Sequence, residues 1–197
     1  MTGSSDSSAT SRPQRLHLGC GNEILPGWVN HDLVALPGVD VVHDLREYPW
    51  PFADGQFDEI RMHHVLEHLE DPIRVIEELH RILRPGGTLR VRVPYWNSPD
   101  WATDPTHLTA FNEYSFDYFD PETYQGRERP YYSVARFSIR SKIYWIKPAI
   151  VYVPVRRRAL QLLLSALARH IGGIIWVIEW ELVGMPKATP TPPPADG

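Results

Sequence analysis

A glycine-rich turn near the start of the chain is the first feature whose residues could do chemistry. Residues 16–21 read LHLGCG, a short apolar run that ends in Gly-Cys-Gly. Glycines at the end of a strand let the backbone approach a ligand closely and offer amide groups to it. The full dinucleotide pattern G-x-G-x-x-G is not met, because Ile24 stands at the third glycine position. The turn therefore indicates a ligand site without naming the ligand.

Two carboxylates support a ligand site at this turn. Asp32 and Asp44 each close a β-like run, WVNHD at 28–32 and VDVVHDL at 39–45. In open α/β sheets, ligands bind at the edge formed by the carboxyl ends of the strands. A carboxylate there can accept hydrogen bonds from ribose hydroxyls or from an adenine amino group. Together with the glycine turn, the two acids favour a ligand of this kind over simple turn or cap residues.

A second motif contains histidines. Residues 64–68 read HVLEH, which matches H-x-x-E-H, a zinc-protease signature in which both histidines bind the metal and the glutamate is the general base. That chemistry needs one long helix around the motif. Here the motif begins two residues after a β-like run, and Asp71-Pro72 starts a new helix just beyond it. The other histidine spacings match no ligand pattern, so no metal site is predicted.

The elements that must position these residues are short strands around one clear helix. The β-like runs are 15–19, 28–32, 39–45, 57–62 and 88–94. In 71–87, apolar residues recur at spacings of three and four, with Asp71 as N-cap, Pro72 in the first turn, and Arg84 and Gly86 at the far end. This pattern predicts an α/β fold with a Rossmann-like, mostly parallel sheet and flanking helices. Only ten residues separate Gly21 from Asp32, so the first crossover is expected to be abbreviated.

The chain as a whole is predicted to form one domain with two tails. Residues 1–14 resemble a disordered leader, and the proline-rich stretch 186–197 an extended tail. Between them, 15–185 is expected to form a single domain with a cofactor half, 15–95, and an acceptor and lid half, 96–185. In the second half we expect β structure over 131–155, a helix over 156–170 and a final strand over 174–183.

The ordered set of motifs over residues 15–120 resembles the class I S-adenosylmethionine-dependent methyltransferases, and most closely the small type 11 methyltransferase domain. In chain order the motifs are LGCG, GWVNHD, VDVVHDL, YPWPFADGQFDEI, HHVLEHLEDP and LRPGGTLRVRVP. No single motif is specific, but the ordered set is. The letters HVLEHL are routine in this pattern, which is a further reason to set the zinc-protease alternative aside.

This resemblance implies a binding site for S-adenosyl-L-methionine. The family often carries an acid two residues before the glycine turn, where this chain has His17, so one cofactor contact is lost or is made by the imidazole. By the resemblance, the methionine portion of the cofactor would be lined by Gly19, Cys20 and Gly21. The ribose would be held by Asp32, and the adenine would be flanked by Asp44 and Leu45. The sulfonium would lie beside His63 and His64.

Methyl transfer from a sulfonium is a direct displacement, for which a protein supplies orientation and excludes water. A hydroxyl acceptor can also need a base, and histidine is the default because its pKa lies near neutrality. The candidate catalytic residues are His64, at the end of the fourth strand, and His107. The latter lies in 104–116, a segment of mixed aromatic and polar residues that is expected to cover the acceptor.

The sequence therefore predicts a methyltransferase that acts at oxygen or nitrogen of a small-molecule, glycan or lipid-linked acceptor. The alternative is a degenerate methyltransferase-like subunit that binds cofactor weakly or not at all, as the short crossover and His17 suggest. A nicotinamide oxidoreductase on the same fold is disfavoured, because no tyrosine is followed by lysine four residues later.

Charge is distributed unevenly along the chain. The formal net charge is −4, but residues 121–170 hold ten Arg or Lys and two acids, whereas residues 1–120 hold nine basic and nineteen acidic residues. The basic segment is open to three interpretations: a solvated face, attraction to a phosphate-bearing acceptor, or peripheral membrane contact through 156–178. A specific nucleic-acid partner is not expected, since no nucleic-acid-binding module is recognisable.

The remaining composition excludes several protein classes. Cys20 is the single cysteine, which rules out a disulfide framework and a multi-cysteine zinc module. The first fourteen residues contain no apolar stretch of the secretory type. Apolar segments at 159–168 and 171–178 are each shorter than the ~20 residues that span a bilayer. A cytoplasmic protein is expected, with membrane-peripheral placement as the alternative.

Overall fold

The computed structural model describes residues 14–187. The predicted leader and tail therefore lie outside the described residues, apart from residue 14 and residues 186–187. The described strands are β1 (Arg15–Leu18), β2 (Val29–Asp32), β3 (Val41–Val42), β4 (Phe57–His63), β5 (Leu83–Pro94), β6 (Phe137–Ile146), β7 (Val153–Val155) and β8 (Val177–Gly184). The described α-helices are α1 (Pro72–Ile82), α2 (Pro99–Thr103), α3 (Tyr124–Glu128) and α4 (Arg158–Ala168).

These strands form one sheet in the order β3-β2-β1-β4-β5-β8-β6-β7. Strands β1 to β5 are parallel to one another, while β8 pairs antiparallel with both β5 and β6, and β7 pairs antiparallel with β6. The strand order reverses between β1 and β4, which makes their carboxyl ends the switch point where α/β sheets bind ligands. The predicted Rossmann-like, mostly parallel sheet is confirmed.

The first crossover is abbreviated, as predicted. Residues 19–28 join β1 to β2 through turns, and no α-helix lies in that connection or in those that lead to β3 and β4. The run predicted as a strand over 39–45 contributes only Val41–Val42 to the sheet. The sheet is therefore flanked by helices in its second half and by loops in its first.

The predicted helix over 71–87 begins where it was expected, but it ends earlier than predicted. Asp71 is the N-cap and accepts a hydrogen bond from the amide of Arg74 (3.0 Å). The helix stops at Ile82, and the chain enters β5 at Leu83. The physical reason is Pro85, because a residue that precedes proline is driven out of the helical region, so Arg84 cannot continue the helix.

The sheet has one apolar and one charged face, which agrees with the alternation of apolar and basic residues in 88–94, TLRVRVP. Leu89, Val91 and Val93 of β5 are fully buried in the core with residues of α1. Arg90 and Arg92 point to the opposite face, because successive strand side chains alternate. There they pair with acids of the neighbouring strands: Arg90 with Glu59 and Glu181, and Arg92 with Glu179.

This two-faced sheet predicts different costs for adjacent substitutions in β4. Ile60 is fully buried, so Ile60→Ala should destabilise the protein by about 2–5 kcal/mol through lost contacts and a cavity. Its neighbour Glu59 lies on the charged face, and Glu59→Gln should cost less than about 1 kcal/mol. Urea unfolding of both variants measures the difference. Equal losses of stability would contradict the assignment of the two faces.

Candidate active site

A cavity of about 430 Å³ lies at the carboxyl ends of β1 and β2, at the predicted edge of the sheet. Its volume is within the range of small-molecule sites, ~300–1,000 Å³. The lining residues combine two carboxylates with apolar side chains and imidazoles. They are Gly19, His31, Asp32, Leu33, His43, Asp44, Leu45, Arg46, Val65, His68, Leu69 and Thr106.

The glycine turn has the backbone conformation that requires glycine. Gly19 and Gly21 have φ of +61° and +51°, in the left-handed region that side chains rarely adopt. At Gly19 there is also no room for a side chain, because a Cβ atom would overlap Cγ2 of Val65. A Cβ atom at Gly21 would meet no heavy atom within 4 Å. The backbone therefore passes directly beneath Val65 as it enters the cavity.

Asp32 connects the end of β2 to this turn. Its Oδ2 atom accepts a hydrogen bond from the amide of Gly21 (2.8 Å), and its Oδ1 atom accepts one from the amide of Val34 (3.1 Å). A carboxylate offers about four lone-pair positions, so two acceptor positions remain for a ligand. The carboxylate is thus held in place by backbone amides while it can still accept from hydroxyl groups.

Asp44 is held by its neighbour Arg46 at the same edge. The Arg46 guanidinium donates to both carboxylate oxygens, with distances of 2.9 and 3.1 Å from Nε and 2.6 Å from Nη2. These hydrogen bonds lower the pKa of Asp44 to about 2, so the side chain is ionised at neutral pH. Leu45, between the two, is buried and lines the cavity.

Three cavity histidines, His31, His43 and His68, were not among the residues predicted for the site. His31 donates from Nε2 to the carbonyl oxygen of His43 (3.0 Å), and His43 does the same to that of Glu47 (2.9 Å). Burial lowers the pKa of His31, which favours the neutral ring. The only sequence signal for His31 is its position next to Asp32 in the same strand, and that signal does not distinguish a ligand-facing ring from a core one.

The structure brings together Gly19, Asp32, Asp44 and Leu45, but it places other predicted residues outside the cavity lining. Cys20 is buried, its amide donates to the carbonyl oxygen of His31 (2.9 Å), and burial raises the pKa of its thiol. Gly21 contributes through its bond to Asp32. His17, at the position where the family often has an acid, is also buried and does not line the cavity.

His63 lies on the charged face of the sheet. Its Nδ1 atom accepts a hydrogen bond from Nε of Arg61 (3.0 Å). Burial, with the nearby charges of Arg92 and Arg61, lowers the pKa of His63 to about 2. The ring is therefore neutral, and it does not face the cavity residues.

The two candidate bases, His64 and His107, lie next to the cavity and not in its lining. His64 follows β4 with a left-handed backbone (φ +54°), and its side chain is 46% exposed. His107 donates from Nδ1 to the carbonyl oxygen of Trp101 (2.9 Å) and stacks on the indole of that residue. Its neighbour Thr106 lines the cavity, so the segment expected to cover the acceptor does reach the site.

Parts of this chain are similar in sequence to known methyltransferases. Residues 31–91 match the sequence profile of a methyltransferase domain, type 11. A probable S-adenosylmethionine-dependent methyltransferase of Mycolicibacterium smegmatis is 34% identical over 89 residues, which are 43% of this chain and 34% of that protein. Residues 31–91 are therefore similar to a methyltransferase domain of this type.

Other similarities agree with this family. A crystal structure of an S-adenosylmethionine-dependent methyltransferase from Archaeoglobus fulgidus has a TM-score of 0.55 at 15% identity, over 87% of this chain and 86% of that one. An uncharacterised 37.1 kDa protein in transposon Tn4556 of Streptomyces fradiae is 40% identical over 67 residues, 32% of this chain and 18% of that protein. The chain thus matches less than two thirds of the length of these curated relatives. The predicted fold class is confirmed, and these similarities support the predicted family.

The two glycines of the turn give a matched test of the close approach between the Gly19 backbone and Val65. Gly21→Ala introduces only left-handed strain and should cost about 1–2 kcal/mol. Gly19→Ala adds the overlap with Val65, which should destabilise by a further ~1–3 kcal/mol. Urea unfolding measures both. Adding Val65→Ala to Gly19→Ala should recover part of the loss, and equal costs for the two glycines would contradict the close packing of Val65.

Proposed function

We propose that the protein is a methyltransferase and that the cavity at the carboxyl edge of the sheet binds S-adenosyl-L-methionine. The observation that carries the proposal is the convergence of Gly19, Asp32 and Asp44 on one cavity. Each comes from a different connection at the switch point, and the matching family is one whose methyl donor is S-adenosyl-L-methionine. When bound, this cofactor supplies an electrophilic methyl group on a sulfonium.

The residues of the cavity fit a nucleoside with an amino-acid tail. Asp32 would accept hydrogen bonds from ribose hydroxyls, since two of its acceptor positions are free of backbone amides. Leu33, Leu45 and Leu69 offer apolar surface to a purine ring. The Gly19 backbone allows close approach of the methionine portion. Asp44 would contact the adenine side while it stays paired with Arg46.

The acceptor would enter next to His64 and His107. His64 is half-exposed, so a hydroxyl acceptor could transfer its proton to the ring without further opening of the fold. In His107, Nδ1 donates to a carbonyl oxygen, so Nε2 is the nitrogen with a free lone pair. We propose oxygen or nitrogen as the methylated atom, because both histidines are suited to removing a proton from such an acceptor.

Calorimetric titration with S-adenosylhomocysteine tests the proposed cofactor site. The wild-type protein should bind with micromolar affinity, and Asp32→Asn should weaken binding at least tenfold, because a hydrogen bond to a charged group contributes about 1.5–3 kcal/mol. Glu128→Gln, at an exposed acid outside the cavity, is the matched control and should bind as the wild type does. No binding to the wild type at millimolar ligand would favour the degenerate, non-catalytic subunit instead.

A surface in the second half of the chain supports a proposal about the acceptor class. Leu160, Leu163 and Leu167 lie at helical spacing on one side of α4, and they are 41%, 55% and 40% exposed. In the loop before β7, Ile150 and Val151 are 89% and 65% exposed. Large apolar side chains exposed together in this way are typical of an interaction surface.

The charge around these residues favours an anionic bilayer. No acidic residue occurs between Glu128 and Glu179, while Arg156, Arg157 and Arg158 immediately precede or begin α4. A helix with exposed leucines and flanking arginines is typical of segments that lie in the membrane interface. Among residues 14–187, no helix is long and apolar enough to cross a bilayer. We therefore propose that residues 147–171 dock on anionic lipid and that the acceptor is lipid-linked.

Vesicle co-sedimentation tests this docking. Binding to phosphatidylcholine vesicles that contain phosphatidylglycerol should exceed binding to pure phosphatidylcholine and should fall with salt. Replacing Arg156, Arg157 and Arg158 by Gln should weaken binding about a hundredfold, from ~1 kcal/mol per basic residue near the surface. Leu163→Ser should also weaken it, whereas Tyr124→Ser, at an exposed aromatic outside the segment, should not. Failure to distinguish anionic from neutral vesicles would overturn the docking proposal and favour a soluble phosphate-bearing acceptor.

A further inference from the structure

Glu67 carries a carboxylate that is buried in the fold. It lies in the 3₁₀ turn Leu66–His68 and is fully buried. Among residues 14–187, neither of its carboxylate oxygens has a hydrogen-bond partner. Nδ1 of His64 lies 3.4 Å from Oε1, but the contact does not have hydrogen-bond geometry. An ionised carboxylate in this position is costly unless a cation neutralises it.

Two histidines complete a cluster around this carboxylate. One nitrogen of His68, one nitrogen of His107 and one oxygen of Glu67 all lie within 4.8 Å of one another. The two imidazole rings are 4.7 Å apart between centroids. His107 is some forty residues from Glu67 in the sequence, but the amides of Leu108 and Thr109 donate to the Glu67 carbonyl oxygen (2.8 and 3.2 Å) and bring the two segments together.

Both histidines are oriented by a second hydrogen bond. Nδ1 of His107 donates to the carbonyl oxygen of Trp101 (2.9 Å), which leaves the lone pair on Nε2. Nδ1 of His68 contacts Oγ1 of Thr106 (3.0 Å), whose hydroxyl proton is directed to Asp104 (2.7 Å), so this nitrogen is also the donor. A ring whose other nitrogen donates to oxygen is typical of metal-binding histidines.

We infer that Glu67, His68 and His107 form a binding site for a divalent transition-metal ion. Two neutral imidazoles and one carboxylate suit Zn²⁺ and Fe²⁺, and three protein ligands leave positions open for another oxygen. A tetrahedral Zn²⁺ site with bonds of ~2.0–2.1 Å places its donors about 3.4 Å apart. Only small side-chain rotations of the partly exposed histidines are needed to reach this spacing. The ligand set differs from the zinc-protease pattern, in which His64 would bind metal and Glu67 would be a base.

The site adjoins the cavity assigned to the methyl donor. His68 and Thr106 both line that cavity. If the proposed function holds, the open positions of the metal would hold the acceptor oxygen beside the methyl donor and lower the pKa of its hydroxyl. Because Nε2 of His107 would then bind the metal, His64 would be the base that accepts the proton. Metal binding itself does not depend on the proposed function, and it can be measured without either substrate.

Metal titration of the purified full-length protein tests the inference. After chelator treatment and buffer exchange, calorimetry with ZnCl₂ should give one ion per chain with micromolar or tighter affinity. Addition of CoCl₂ should produce visible d–d absorption, and Zn²⁺ should raise the unfolding temperature, because the ion binds only the folded state. Glu67→Gln and His107→Ala should each weaken Zn²⁺ binding at least tenfold. His170→Ala, at an exposed histidine outside the cluster, is the matched control.

The outcomes are distinguishable even if one variant folds poorly. Circular dichroism identifies an unfolded Glu67→Gln, and His107→Ala at a partly exposed ring then carries the test. Absence of stoichiometric Zn²⁺ and Co²⁺ binding by the wild-type protein overturns the inference. Binding that is unchanged in both folded variants overturns it as well, because the ion then lies elsewhere. Loss of metal binding with intact S-adenosylhomocysteine binding supports the metal site separately from the cofactor site.

Discussion

The candidate site depends on the close approach between the Gly19 backbone and the side chain of Val65. The chain leaves β1 in a left-handed conformation directly beneath Val65, and the amide of Gly21 then donates to Asp32 at the end of β2. These two contacts tie the carboxyl ends of β1, β2 and β4 into one edge. The connection between β1 and β2 contains no helix that could pack against the sheet. The hydrogen bond from the Gly21 amide to the Asp32 carboxylate holds this connection in place instead.

The short crossovers are consistent with the two-faced character of the sheet. A parallel sheet covered by helices on both sides is apolar on both sides. Here β5 alternates buried aliphatic residues with arginines that pair with acids of β4 and β8. The apolar core is therefore concentrated on the face of α1. The charged face forms a network of ion pairs, and the neutral His63 lies within it beside Arg61.

Residues 97–107 connect the parts of the molecule that the proposals concern. At one end, Asn97 donates to the carbonyl oxygen of Ala168 in α4, and Asp100 accepts a hydrogen bond from Tyr152 in the stretch proposed to contact lipid. At the other end, Thr106 lines the cavity and His107 belongs to the histidine cluster. The segment proposed to dock on lipid, the cavity and the proposed metal site are thus connected through one short stretch of chain.

Much of the fold could be predicted from local signals in the sequence. Period-two alternation identified β5, the Asp71-Pro72 start identified α1, and the spacing from Gly21 to Asp32 indicated a short first crossover. The predicted end of the helix over 71–87 was wrong for a local reason that is visible in the sequence, since Pro85 keeps Arg84 out of the helical conformation. By contrast, the shortening of the strand predicted over 39–45 depends on pairing with β2, which no local pattern determines.

The sequence by itself determined which residues lie at the carboxyl edge of the sheet: the glycines of the turn, Asp32 at the end of β2 and Asp44 just after β3. Such residues are predictable because glycine conformation is local and because parallel strands end at a common edge. Only the tertiary structure decided which histidines meet Glu67, and that His63 turns to the charged face. Side-chain direction at a strand end, and contact between Glu67 and His107 across forty residues, depend on how the loops pack over the sheet.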